Sequence, residues 1–291
     1  MRLGGEGPSS NFEDRTGQSG GGFGGGGGNL LGCLLPLVMS RFGLIGVAVL
    51  LLGYCALQSL GGGGIISGGS PSTTAPSGQS KLEPNMEDFL KRVLGSTEET
   101  WGEIFAKSGS KYQPTGLVAY STSNQSGCGA AQAAMGPFYC PTDQKIYIDP
   151  TFFNELSQRF GAPGDFAMAY VIAHEVGHHI QNLEGTLDRA HNAQARAGQA
   201  QGNAIQVQVE LQADCYAGVW AAKARDNQGS ILEAGDLEEG MRAAEAIGDD
   251  TLQKQMQGTV VPETFTHGSS EQRVAALQLG MKTGNRAACK F

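Results

Sequence analysis

The chain has 291 residues, 40% hydrophobic and 16% charged, which leaves room for one domain of ordinary size once its non-globular parts are set aside. A formal net charge of −8 excludes the basic stripe that nucleic-acid binding requires, so no nucleic-acid partner is expected. The acidity itself favours solubility and says little about a substrate.

Residues 1–29 are polar and glycine-rich, with five consecutive glycines at 24–28. Such a stretch has too little apolar surface to offset the entropy of ordering it, so disorder is expected. Residues 30–60 are apolar apart from the Ser40-Arg41 interruption. The part from Phe42 to Leu60 is long enough for one transmembrane helix, with Arg41 at its cytoplasmic end. A signal peptide fits less well, because the apolar core begins too far from residue 1. Leu30-Leu31-Gly32-Cys33 has the look of a lipoprotein cleavage box but lacks a preceding apolar run. A buried core helix is the bland alternative, disfavoured by the glycine-rich flanks. Arg2, Arg15 and Arg41 precede the span and the first basic residue after it is Lys81. This orientation signal puts the N-terminus in the cytoplasm and the following domain outside, in a periplasmic or other extracytoplasmic space. Residues 61–82 read as a flexible linker and 83–291 as the folded domain.

Within that domain, Met86, Phe89, Leu90 and Val93 have helical spacing, and Trp101–Ala106 suggests a second short helix. Leu117–Tyr120, Phe138-Tyr139 and Ile146–Ile148 are strand-like. From Thr151 onward the pattern is helical almost throughout, so the fold class expected is α+β, mainly helical. None of the six cysteines forms a CxxC pair, which argues against a thiolate metal site. In an oxidising compartment the four beyond residue 120 would form two disulfides. Cys128 and Cys140 flank a Gly/Ala/Pro loop and pair naturally, leaving Cys215 with Cys289. Cys215 also fits an apolar stripe as a plain core thiol.

Asp165 opens a helix after Pro163-Gly164, with Ala169, Ile172, Ala173, Val176, Ile180 and Leu183 on one apolar face and Gly185 placed to end it. His174 and His178 lie four residues apart on this helix. They therefore project one turn from each other and can bind a single zinc. Glu175, next to the first histidine, can reach a water at the metal rather than the metal itself, as a general base does. This His-Glu-x-x-His pattern arises by chance in fewer than ~1 in 100 chains of this length. The competing reading, a surface helix with two unrelated histidines, leaves the amphipathic setting unexplained. His179 points elsewhere and is expected to pack or be solvated.

Catalytic zinc takes three protein ligands and keeps one position open. Glu210 is the expected third ligand. It lies on a helical stretch, Ile205–Ala224, whose Val207, Leu211, Cys215 and Val219 form an apolar stripe. Asp214 follows one turn later and is placed to hold a ligating imidazole in its required tautomer. Ala213, Ala217 and Ala221 favour burial of both carboxylates over a solvated face. Glu184 and His191 are the competitors for the third position. Glu184 has the spacing of a third ligand in a related motif, but Gln181 replaces the glycine of that motif. His191 sits in a polar Ala/Gln-rich stretch. For the oxyanion of a tetrahedral intermediate, His267 or Arg273 is the candidate donor.

These segments resemble the bacterial YpfJ-type family of neutral zinc metallopeptidases. The resemblance rests on residues 134–141 (AMGPFYCP), 169–179 (AYVIAHEVGHH), 210–220 (ELQADCYAGVW) and 266–273 (THGSSEQR), with Asn11–Arg15 and the apolar span besides. Phe12 departs from the Val of the family pattern, and nothing catalytic depends on it. The Glu-x-x-x-Asp pairing is also similar to that of zinc peptidases whose third ligand is glutamate, which implies the same roles for Glu210 and Asp214. The resemblance implies a zincin-like domain with zinc between two helices, acting on protein or peptide substrates and anchored by one membrane helix. The alternative expectation is a non-catalytic, zinc-stabilised, membrane-tethered binding or assembly domain, against which the retained Glu175 argues.

Overall fold

The computed structural model describes residues 1–3, 7–18 and 80–290, which belong to one fold unit made of Met1–Gly20 and Gly78–Phe291. The apolar stretch 30–60, with its expected span at 42–60, lies outside the described residues, as does nearly all of the expected linker. Among the described residues no helix is long and apolar enough to cross a membrane. That finding overturns the expected single-pass localisation with an extracytoplasmic domain. The long apolar helices that are described turn their apolar faces towards one another in a common core.

The expected disorder of residues 1–29 is also corrected, at Phe12–Asp14. These residues form strand β1, which pairs in parallel with β2 (Gly116–Ala119). Sequence periodicity fails for such a piece because three residues carry no readable pattern and the partner lies about a hundred positions away. The sheet grows by β6 (Lys145–Ile148) and β5 (Phe138–Cys140) to the order β1-β2-β6-β5. β2 and β6 are parallel, and β5 closes one edge antiparallel. Between β2 and β5 a hairpin, β3 (Ser123–Ser126) with β4 (Gly129–Gln132), stands apart from this sheet.

Pro84–Lys107 is one continuous helix, α1, where the sequence suggests two. The apparent break at Gly95-Ser96-Thr97 is a packing device. A Cβ on Gly95 would lie 2.5 Å from the Gly7 carbonyl oxygen, so the N-terminal segment crosses the helix where side chains are smallest. Helices α2 (Thr151–Gln158), α3 (Asp165–Leu183), α4 (Thr186–Gln194), α5 (Gln199–Lys223), α6 (Asp236–Ala246), α7 (Asp249–Gln257) and α8 (Ser270–Thr283) follow. A two-residue pairing of β7 (Arg225–Asp226) with β8 (Gly229–Ser230) separates α5 from α6.

Small residues set how closely α3, α5 and α8 approach. A Cβ at Gly280 would stand 1.9 Å from the Cys215 carbonyl oxygen, and one at Gly218 2.2 Å from that of Leu277. Around these contacts Phe166 and Trp220 stack with ring centroids 6.0 Å apart. Each such large apolar side chain contributes on the order of 1.5–3 kcal/mol when fully buried. Among the described residues two disulfides are present, Cys128–Cys140 and Cys215–Cys289. The second ties α5 to the segment after α8.

Candidate metal centre and active site

α3 carries His174, Glu175 and His178, and α5 lies against it. Gly177 makes that contact possible: a Cβ there would lie 2.8 Å from the Ala213 carbonyl oxygen and 2.9 Å from the Ala213 Cα. The close approach brings Glu210 to the histidine pair. Its Oε2 stands 3.2 Å from Nε2 of His174 and 3.6 Å from Nε2 of His178. Two atoms bound at 2.0–2.1 Å to a tetrahedral zinc are about 3.3 Å apart, so the spacing fits that ion. Among the described residues this His174–His178–Glu210 cluster has no fourth His, Cys, Asp or Glu member. Two imidazoles and one carboxylate are also the donor chemistry of an open, catalytic zinc site rather than a closed structural one.

Asp214, fully buried, holds Nδ1 of His174 at 2.7 Å. Tyr170 donates its hydroxyl to the same Asp214 oxygen at 2.6 Å. Arg273 donates to both Asp214 oxygens, at 2.8 and 2.9 Å, and to the Tyr170 hydroxyl at 3.2 Å. Burial alone would favour the neutral His174 ring, but the Asp214 charge and hydrogen bond outweigh it and raise the pKa to about 10. Burial likewise works against the Asp214 charge, yet Arg273 and His174 hold its carboxyl below the usual range. Glu210 is held well below its usual range against burial, chiefly by His178, whose own pKa is raised by Glu210.

His178 has a different partner. Its Nδ1 lies 2.9 Å from Oε1 of the buried Gln181. Glu175 has one carboxylate oxygen, Oε2, buried with no hydrogen-bond partner. Glu175 faces the same cleft of about 600 Å³ as His174, His178 and Glu210. Phe138, Phe152, Phe160, Val171 and Leu187 supply apolar walls.

The other candidates separate cleanly. Glu184 accepts from the Tyr216 hydroxyl at 2.7 Å and pairs with Arg286 at 3.2 Å, and it is not a member of the cluster. His191 lines the cleft, exposed, and is also outside the cluster. His179 is fully buried between the Tyr139 hydroxyl and the Gln113 carbonyl. Arg273, expected as an oxyanion donor, is committed to Asp214. A capping box of Ser269 and Gln272 fixes the start of α8 and so aims Arg273 inward. His267 stands on the cleft wall, half-exposed. Asp249 accepts from the backbone N–H groups of Thr266, His267 and Gly268 and lies 3.2 Å from Nδ1 of His267. Tyr170, Gln181 and Asp249 escaped sequence reasoning. The one available signal was that Tyr170 and Gln181 are polar positions on α3 one turn from the histidines.

A family model described as "Putative neutral zinc metallopeptidase" matches residues 1–291. The chain belongs to that family. Its relatives include "Uncharacterized protein YpfJ" of Escherichia coli strain K12, 44% identical over 99% of this chain and 98% of the relative. "Uncharacterized protein Rv2575" of Mycobacterium tuberculosis strain H37Rv is 46% identical over 56% of this chain and 57% of its own length. No solved structure matches. Membership of this family supports a metallopeptidase-like function, and the family description implies zinc.

Proposed function

We propose that the chain is a zinc-dependent peptidase that hydrolyses peptide bonds with Glu175 as general base. The observation that carries this reading is the unpartnered, buried Glu175 oxygen beside the His174–His178–Glu210 cluster. An unsatisfied buried polar group costs about 1–3 kcal/mol, more for a charged one, so its retention fits a group whose partner arrives with water and substrate.

His174, His178 and Glu210 are the groups that would hold zinc, an ion that supplies Lewis acidity, acidifying water towards a pKa of roughly 7 and polarising a carbonyl. Glu175 takes the proton of the attacking water and returns it to the leaving amine nitrogen as the C–N bond breaks. Asp214 accepts the Nδ1–H of His174, which leaves Nε2 free as a donor atom. Arg273 and Tyr170 hold Asp214 in turn and act as positioning residues. His267, fixed by Asp249, is the candidate donor to the developing oxyanion. The absence of a fourth ligand in the described cluster favours this reading over a non-catalytic zinc-stabilised domain.

The test is incubation of the zinc-loaded full chain with a peptide library, read by mass spectrometry. New termini should appear, vanish on chelation and return with zinc. A zinc-loaded chain that creates no new termini would contradict the reading.

A further inference from the structure

The two histidines of the cluster are held by unlike partners, and the difference leads away from the cleft. His174 rests on a carboxylate that two side chains, Tyr170 and Arg273, lock in the core. His178 rests on a neutral amide. That amide, Gln181, donates through Nε2 to the Val209 carbonyl at 2.7 Å and to Oε1 of Gln212 at 3.0 Å. Gln212 donates in turn to the Cys289 carbonyl at 2.8 Å. Cys289 is disulfide-bonded to Cys215 on α5.

The polarity of this series is fixed at its far end. A carbonyl only accepts, so Gln212 must present its NH₂ to Cys289 and its oxygen to Gln181. Gln181 must then present its NH₂ to Gln212 and Val209, leaving its oxygen for His178. Only a protonated Nδ1 can donate to that oxygen, and this assigns Nε2 as the atom that faces Glu210. The segment Asn285–Lys290 is thereby joined to the orientation of a ligand imidazole. The same segment also holds α3 and α1 directly. Arg286 pairs with Glu184 just past the end of α3 and lies over the Phe105 ring at 4.9 Å.

We propose that Gln181 and Gln212 are positioning residues for His178, and that the segment carrying Cys289 sets zinc affinity through them. The inference rests on the proposed zinc site. Outer partners of a ligating histidine typically change metal affinity or activity by 10–100-fold. Gln181→Leu removes the acceptor, whereas Gln212→Ala, at a half-buried position, only releases the fixed polarity of Gln181.

The experiment is zinc affinity by chelator competition on the full chain, for wild type, Gln181→Leu, Gln212→Ala and the double variant. Thermal unfolding of each metal-free protein serves as the control for folding. Gln181→Leu should weaken binding by about 10–100-fold. Gln212→Ala should weaken it less, and the double variant should be no worse than Gln181→Leu alone, because one relay is being cut twice. If Gln181→Leu does not fold, Gln212→Ala decides: a several-fold loss supports the relay and an unchanged affinity overturns it. Fully additive losses, or wild-type affinity in folded variants, would overturn the relay while leaving the zinc site intact. A wild-type chain that binds no zinc would instead overturn the proposed function, and the relay with it.

Discussion

Arg273 and Asp214 meet in a buried bidentate pair, with Nε to Oδ2 at 2.8 Å and Nη2 to Oδ1 at 2.9 Å. The pair joins α8 to α5 at the back of His174. Removing one partner of such a pair leaves an uncompensated buried charge, at a cost of about 3–5 kcal/mol. Arg273→Leu should therefore lower stability by that amount in denaturant titration. It should also weaken zinc binding, because Asp214 would no longer be held against His174. Unchanged stability would show that the pair contributes nothing net.

The third-ligand assignment predicts an ordering of zinc affinities at fixed pH. Glu210→Ala should be worst, Asp214→Ala intermediate, and Glu184→Ala and His191→Ala mild. Glu184 is engaged by Tyr216 and Arg286, so its loss is expected in stability rather than in metal binding. Abolished binding in Glu184→Ala or His191→Ala, with Glu210→Ala intact, would require a different ligand set.

Gly177→Ala places a methyl 2.8 Å from one backbone atom of Ala213 and 2.9 Å from another. Neither can rotate away, so α3 and α5 must separate. Overpacking of this kind costs about 1–3 kcal/mol. The separation also moves Glu210 from the histidines, so zinc affinity should fall along with the thermal midpoint. A variant with wild-type affinity would show that the helix spacing does not set the site.

Zinc affinity should rise with pH. In the metal-free protein the His174 pKa is raised to about 10 and that of His178 is raised as well. A raised histidine pKa means that protonation stabilises the metal-free fold fully below the unfolded-state value. That contribution is lost as pH climbs through the folded-state value. Zinc must displace these protons, so each one displaced makes apparent affinity rise about tenfold per pH unit below the raised pKa. Chelator competition at several pH values between 6 and 9 checks this. A flat profile would mean that the histidines bind no protons for zinc to displace.

Much of the site was legible because its chemistry is local. His174 and His178 share a face by helical spacing alone, and Glu210 with Asp214 does the same on α5. The Cys128–Cys140 bridge was legible from the loop the two cysteines flank, whereas Cys215–Cys289 was the pairing left over and Cys215 read equally as a core thiol. What stayed hidden depends on distant partners. Phe12–Asp14 becomes a strand only because β2 offers its edge, and the stretch between the two expected helices stays helical with Gly95 placed where the Gly7 carbonyl crosses it. Arg273 reads as an oxyanion donor until Asp214 is found beside it. Gln181 reads as a departure from a motif until Nδ1 of His178 is found on it.

The most direct measurement on the central claim is zinc content and peptide hydrolysis of Glu175→Gln beside wild type. The carboxamide keeps the size of the side chain but cannot accept and return a proton. The variant should hold one zinc with wild-type affinity and lose hydrolysis by at least about 10²–10⁴-fold. A variant that loses its zinc would make Glu175 a ligand, and one that retains hydrolysis would remove it from the proton transfer; either result contradicts the account.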